Sequence, residues 1–387
     1  MLDERIKNDL LERYRAIRDR GELLSQAQLD KAYANFRSRF GPQVLANLDG
    51  EELLTTVHAH GSRDSLVYWL EFKNDEEFPA RFGSIAGGSA HKFGLYRSKE
   101  TGIWTTGSPK APREIELDEA VQLTRGHRDQ LVRGAEVMSR LLTGADDATY
   151  RALQEELDRV APDVSRLAWG HKYFSLLYPD KLDDYHNEDL QRFHLIRLMQ
   201  APPVGKGRYL CAGRYVAIAK DLNIPMNHLT TLLNLRNGRP YSCWRVGTRL
   251  DAKTSIWRLM RNAGCVAIGW DQLGDLSEVR TSREGKERIY EGLQSEYANA
   301  PGMRGKKAQE VLNFVMAIAE DDLVLAADGQ RILGIGRVTG GYFHVAGDPS
   351  PHRRPVAWLN LDEWKLPEPS EGLLTTVQQI RKHVDNL

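Results

Sequence analysis

The stretch Cys265-Val-Ala-Ile-Gly-Trp-Asp-Gln-Leu-Gly-Asp-Leu276 decides how the C-terminal part of the chain is read. Its apolar run stops at Gly269-Trp270-Asp271, and a second small turn follows at Gly274-Asp275. A short apolar run bounded by turn residues reads as a buried strand, and glycine relaxes the loop behind it. The strand therefore delivers a tryptophan and a carboxylate to its end. An aromatic face beside a hydrogen-bond acceptor is what a pocket needs to hold a flat polar ring such as a nucleobase. A core tryptophan at a strand end has the same pattern.

Working outward, Cys243-Trp-Arg-Val-Gly-Thr248 alternates like a strand, and Thr254-Ser-Ile-Trp-Arg-Leu-Met260 opens a helix with Thr254 or Ser255 as N-cap. Asp322-Leu-Val-Leu-Ala-Ala327 is a strand turned by Asp328-Gly329. Ile332-Leu-Gly-Ile-Gly-Arg-Val338 leads into Gly340-Gly-Tyr-Phe343, and Arg354-Pro-Val-Ala-Trp-Leu359 closes a mostly β unit at residues 241–366. Trp244, Trp358 and Trp364 read as packing residues.

Four segments carry a resemblance: Trp-Arg-Val-Gly at 244–247, Ile-Gly-Trp-Asp-Gln-Leu-Gly-Asp-Leu at 268–276, Ile-Leu-Gly-Ile-Gly-Arg-Val at 332–338, and Val-Ala-Trp-Leu at 356–359. Together they resemble the EVE/YTH-like domain (PUA superfamily) at the N-terminus of some McrB-type restriction proteins. That resemblance implies a reader of modified bases, in which a base is flipped from the duplex into an aromatic-walled pocket. Trp270 is then a pocket wall and Asp271 an acceptor for a base N–H. Trp257, Tyr342 and Phe343 are candidate second walls. Phosphate contacts are expected from Arg304, Lys306 and Lys307 in a flexible basic segment, and from Arg353 and Arg354 beside His352.

The chain has 387 residues, too many for one ordinary core, so several domains are expected. Formal net charge is zero, which argues against a global polyanion-binding field. Residues 165–240 hold 11 Lys/Arg against 6 Asp/Glu, whereas 241–366 hold 17 against 16. A nucleic-acid surface would therefore be a patch. Cys211, Cys243 and Cys265 lie far apart, which excludes a Cys-rich zinc site and argues against a disulfide framework. The charged N-terminus does not read as a signal peptide, and no apolar run reaches membrane-span length. A cytoplasmic protein is expected.

Residues 1–145 read as an α+β domain of unassigned role. Helical periodicity covers 3–40 and 44–58, Ser65–Lys73 is dense in β-forming residues, a Gly-rich loop spans 82–92, and 93–97 with 103–106 reads as a hairpin. A long helix follows at 117–142. Asp64, Glu71 and Lys73 spell a loose Asp…Glu-x-Lys pattern of the kind metal-dependent nucleases use, with Glu71 and Lys73 on one strand face. A Mg²⁺-dependent nuclease is accordingly the alternative function.

Residues 146–240 read as a helical middle domain. Asp183-Asp-Tyr-His186 lacks metal-ligand spacing and is expected to be a solvated turn and cap. The pattern 214–222, turn, 226–236 fits a helix-turn-helix or an ordinary αα-hairpin. In the first case Asn227, His228, Thr230, Thr231 and Asn234 would face a groove, with Arg236 and Arg239 near phosphates. Residues 367–387 read as a linker toward a GTPase motor absent from this sequence.

The expected architecture is α+β and multidomain, ending in a PUA-like small β-barrel with helices. No P-loop, H-E-x-x-H helix, Ser-His-Asp order or Rossmann fingerprint is present. The expectation is thus a non-enzymatic specificity module without cofactor or metal, which binds double-stranded DNA carrying modified bases. A McrC-like nuclease is a partner only where a motor domain accompanies it. An RNA-binding PUA-like protein is the third reading.

Overall fold

The computed structural model describes the chain except residues 1, 74–81, 84, 86–89, 99–100, 109–110, 143, 145, 252, 280, 367–374 and 381–387, and the side chains of Phe72, Lys73, Ala90, His91 and Arg283. It is a mixed α/β protein of two compact units, Met1–Arg239 and Pro240–Leu387.

The first unit is mainly helical: α1 (Glu4–Asp19), α2 (Gln26–Phe40), α3 (Pro42–Ala46), α4 (Gly50–His58), α5 (Leu66–Tyr68), α6 (Leu117–Arg140), α7 (Asp147–Val160), α8 (Pro162–Ser165), α9 (Ala168–Leu177), α10 (Glu188–Arg197), α11 (Ala212–Leu222) and α12 (Met226–Asn237). Local chemistry sets many of the ends. Ser25 and Gln28 form a capping box on α2, and Asp49, Asp146 and Asn187 cap α4, α7 and α10 with their side chains. The hairpin β1 (Leu95–Arg97) and β2 (Trp104–Ser108) extends into β3 (Ala111–Ile115).

Two expectations fail here. Ser65–Lys73 is not a strand: Ser65 accepts from the Tyr68 amide to start α5, which runs on as a π-helix over Trp69–Lys73. Packing of Leu66, Val67, Trp69 and Leu70 into a helical core overrides their β preference. The expected boundary at 145/146 also falls inside a shared core, since Leu29, Phe93, Met138, Leu153 and Phe174 belong to one buried cluster.

In the second unit a sheet curls into a half-barrel. Its strands are β4 (Cys243–Gly247), β5 (Cys265–Ile268), β6 (Leu323–Asp328), β7 (Arg331–Val338), β8 (Phe343–His344), β9 (His352–Asn360), β10 (Trp364–Lys365) and β11 (Val377–Ile380). The order is β11-β4-β6-β7-β9-β5, antiparallel except for β4 with β6; β8 pairs with β9 and β10 with β7. Helices α13 (Trp257–Ala263), α14 (Ser282–Gly292) and α15 (Pro301–Leu312) contribute to the same core. All four residues of β5 are buried, which accounts for the unbroken apolar run in its sequence. Gly334 and Gly336 are packing positions. A Cβ at Gly336 would sit 2.1 Å from Val356 Cγ1, and one at Gly334 would sit 2.9 Å from the Trp257 ring.

Three expectations are corrected in this unit. Helix α13 starts at Trp257 after Ile256; Ser255 Oγ accepts from the Trp257 amide at 3.3 Å, while Thr254 instead closes a turn onto Asp251. Ala300–Lys307 is the start of α15, with Pro301 in its first turn, and not a flexible segment. The unit does not end at 366. β11 is an edge strand beside β4, held by the buried Arg245 donating to the Thr375 carbonyl and by Glu310 accepting from the Thr376 amide at 2.7 Å.

Candidate functional site

The end of β5 organises a polar and aromatic cluster. The β5–β9 register sets Ile268 opposite His352, which brings the imidazole to the turn after the strand. Trp270 stands in the left-handed region at φ +68°, unusual for a residue with a bulky side chain. Its carbonyl accepts from His352 Nε2 at 3.1 Å and from the Leu273 amide at 3.0 Å. A carbonyl cannot donate, so His352 carries its proton on Nε2 and leaves Nδ1 to accept from the Tyr342 hydroxyl at 2.7 Å. The Tyr342 oxygen accepts in turn from the Leu276 amide at 3.3 Å. The donors all run in one direction: Leu276, Tyr342, His352, Trp270. Burial lowers the His352 pKa, which keeps it neutral, and pushes the Tyr342 hydroxyl up to about 12. Tyr342 stacks on His352 with ring centroids 5.9 Å apart. Trp270 and Tyr297 pack against the same core, and burial raises this second phenol to about 12.

Of the expected pocket residues, Trp270 and Tyr342 are thus joined through His352, a residue sequence reasoning placed only beside a phosphate contact. Asp271 is exposed immediately after Trp270, and Phe343 is exposed on β8 opposite Arg353. Trp257 does not join the cluster's hydrogen-bond chain. It packs edge-on against Trp358 at 5.0 Å and over Gly334. Trp244 is buried with its indole N–H on Asp322 at 2.9 Å, the packing role expected of it.

The expected phosphate contacts are mostly internal. Arg354 is buried and donates to the carbonyls of Phe314 and Val315 in the π-helical turn Asn313–Ala317 after α15, and Arg353 is buried against Asp348 and the Ser350 carbonyl. Arg304 lies 3.9 Å over the Tyr290 ring and donates to its hydroxyl. Lys307 pairs with Glu310 at 3.1 Å. Lys306 is exposed. In the first unit Arg236 is pinned by Asp9 at 2.6 Å, while Arg239 is exposed.

Helices α11 and α12 form as expected, with Asn223 left-handed between them. Asn227, His228 and Thr230 of α12 are nevertheless turned inward, while Thr231 is half-buried and Asn234 exposed. Asn227 and Thr230 donate to Asp184 at 3.2 and 3.4 Å, and His228 bonds the Leu24 carbonyl and Tyr14. The groove-reading role expected of this face is therefore not available to Asn227, His228 and Thr230. Asp183-Asp-Tyr-His186 is likewise not a solvated turn, for Asp183, Asp184, Tyr185 and His186 are all buried. Burial raises Asp183 and Asp184 each to about 7. No local signal marks this segment, because its partners are 43 and 46 residues away on α12.

The nuclease pattern does not assemble. Asp64 is exposed and accepts from Arg39 at 2.8 Å, Glu71 is buried and pairs with Lys92 at 2.6 Å, and the Lys73 side chain lies outside the described residues. Glu71 and Lys73 lie in a helical turn and share no strand face. Among the described residues no group of three or more His, Cys, Asp or Glu could hold a metal, and no helix is long and apolar enough to cross a membrane. The three cysteines are buried and unpaired.

The cluster thus belongs to a curled-sheet unit carrying an aromatic and imidazole network at one strand end. Residues 244–379 match the family model of a domain of unknown function (DUF8426), a span that begins in β4 and ends in β11. No curated protein and no solved structure matches the chain.

Proposed function

We propose that residues 240–380 form a PUA-like, EVE/YTH-like reader that accepts a modified base flipped out of double-stranded DNA, in the manner of the McrB-type restriction proteins the sequence resembles. The observation that carries this reading is Trp270, held left-handed at the end of β5 by the His352–Tyr342 chain. A non-glycine residue in that conformation costs about 1–2 kcal/mol, and such strain concentrates at functional sites. In the proposed complex Trp270 and Tyr342 flank the base, Asp271 accepts a base N–H, and Phe343 lies at the rim. Stacking contributes about 1–3 kcal/mol per base, and a buried methyl group adds roughly 0.8 kcal/mol, so shape and flipping cost supply the remaining discrimination. Lys306 is the phosphate contact that remains from the sequence reading of this unit. The reader itself does no chemistry and needs no cofactor; cleavage would belong to a GTPase motor and a McrC-like nuclease. Such a module works on DNA in the cytoplasm.

The test is fluorescence anisotropy at fixed salt, with matched duplexes that are unmodified or carry N6-methyladenine, 5-methylcytosine or 5-hydroxymethylcytosine. Preference for one modification, lost in Trp270→Ala, is the expected result. Equal binding to all four would end the flipped-base reading, and tighter binding to single-stranded RNA would transfer it to RNA.

A further inference from the structure

The first unit holds separate buried cores. One includes Leu29 and Tyr33 of α2, and another includes Val216 of α11, Ile224 of the following turn and Met226 of α12. An open cavity of about 740 Å³ is lined by residues of both, and its size is within the usual range for small-ligand sites. One wall is a single face of α2, where Gln26, Leu29, Asp30, Tyr33 and Arg37 recur at three- and four-residue spacing. The other is the end of α11 with its turn into α12, and Gly144, Pro179 and Asp180 complete the lining.

Tyr33 sets the chemistry. It is 7% exposed, and its hydroxyl has no hydrogen-bond partner among the described residues. Phenols this enclosed ordinarily have one. Unlike the hydroxyl of Tyr209, this one is not sealed from solvent. The ring is fixed edge-on against Phe82 at 5.3 Å. Burial holds the pKa well above 10, so the group stays an O–H donor.

The rim carries both signs of charge. Arg37 gives its Nε to the Leu177 carbonyl at 3.1 Å, and among the described residues no carboxylate pairs with its guanidinium. Lys220 and Asp180 are exposed and likewise form no ion pair among the described residues. Asp30 accepts from Gln26 at 2.8 Å. Two cations against two carboxylates suit a ligand that carries both signs better than a simple anion.

Tyr33 and Arg37, one turn apart, offer the pair of donors that a carboxylate takes. Asp30 lies seven residues before Arg37, about 10 Å along the helix. Three residues of extended peptide cover the same length. The floor is apolar, from Leu29, Val216, Ile224 and Met226. We propose that this cavity binds a short peptide with free ends and apolar side chains, its carboxylate held by Tyr33 and Arg37 and its ammonium by Asp30. The site is independent of the reader proposed for the second unit.

The experiment is isothermal titration of the full chain with dipeptides and tripeptides of leucine, valine and phenylalanine. The free amino acids and peptides acetylated or amidated at one end are titrated alongside. At least one peptide with free ends should bind. Amidation should weaken it about 10-fold, since loss of one charge-assisted contact is worth roughly a factor of ten. Arg37→Gln should abolish the difference between acid and amide. Tyr33→Phe keeps the packed ring and removes only the unpartnered hydroxyl, so it should fold normally and narrow the same difference. Acetylation should weaken binding in the wild type but not in Asp30→Asn. Gln26→Trp, at an exposed position of α2 lining the cavity, should abolish binding without disturbing the core. Trp270→Ala should leave it unchanged, which separates this site from the reader. Absence of binding by every peptide, indifference to both caps, or binding that survives Gln26→Trp would each overturn the proposal. Tighter binding of a free amino acid than of any peptide would overturn the peptide assignment.

Discussion

Residues 1–239 and 240–387 handle their polar side chains in different ways. In the helical unit, carboxylates, imidazoles and amides from distant helices meet in the interior: Asp184 with Asn227 and Thr230, Asp183 with Gln191, His58 with His127. In the curled-sheet unit the buried polar groups instead tie strands and turns together through main-chain carbonyls, as Arg245, Arg354 and His352 do. The helical unit therefore depends on side chains keeping their charge states and partners. The sheet unit depends on backbone register, with side chains fastening its ends.

The largest effect expected from breaking this contrast is at glycines. Gly83→Ala places a Cβ against main-chain oxygen in a left-handed backbone, where neither neighbour has room to yield. We expect a loss of about 3–5 kcal/mol in urea unfolding. Gly336→Ala meets the Val356 side chain, which can rotate, and should cost about 1–3 kcal/mol. Equal losses at both positions would erase the distinction.

Next comes Arg354→Leu, which leaves the Phe314 and Val315 carbonyls without this donor. It should cost about 2–4 kcal/mol. Because the guanidinium is internal, the salt dependence of DNA binding should not change. A shallower salt slope in this variant would return Arg354 to the phosphate role expected from sequence.

Acidity should separate the units further. Burial lowers the pKa of His58, His127, His171, His186 and His194 below the usual 6.5, with His127 and His194 at about 4 and His171 at about 3. Between those values and 6.5 the unfolded chain binds more protons there, so stability is lost as pH falls. Asp183 and Asp184, raised to about 7 from 3.8, act in the opposite sense over roughly pH 4–7, but they are two against five. Hydrogen exchange in residues 168–197 should therefore quicken as pH drops from 6.5 toward 4.5, after correction for intrinsic rates. Asp184→Asn should steepen the trend. A pH-independent opening free energy would show that these histidines are not neutral in the folded unit.

The smallest effect is Lys306→Ala. It should leave stability unchanged and, under the reader proposal, reduce the slope of log K against log salt by about one. An unchanged slope would remove Lys306 from the interface.

Sequence legibility divided by the range of the deciding contacts and not by unit. The strands 243–247, 265–268, 323–328 and 332–338 were readable because an apolar run or alternation between turn residues is a property of chain neighbours. Helices α11 and α12 and the turn between them were readable for the same reason. Ser65–Lys73 was misread because its aromatic and β-branched residues suit either a strand or a buried helix, and contacts far along the chain decided the matter. Trp270 and Tyr342 were legible as aromatics near turns, but His352 between them was not, since only the β5–β9 register brings it there.

The sequence by itself determined the positions of most helices and strands, the left-handed and tight turns marked by Asn223 and the glycines, and the concentration of aromatic residues around β5. It also determined that the three cysteines are too scattered to form a Cys-rich metal site. Only the tertiary structure decided which face of each amphipathic segment turned inward. Asn227 and Thr230 of α12 face the interior because they donate to the buried Asp184, 43 and 46 residues earlier in the chain. Local periodicity tells one face from another, but the partner that buries a face lies elsewhere in the chain. A carboxylate, arginine or histidine is thus a surface group or an internal tie according to contacts that spacing alone does not encode.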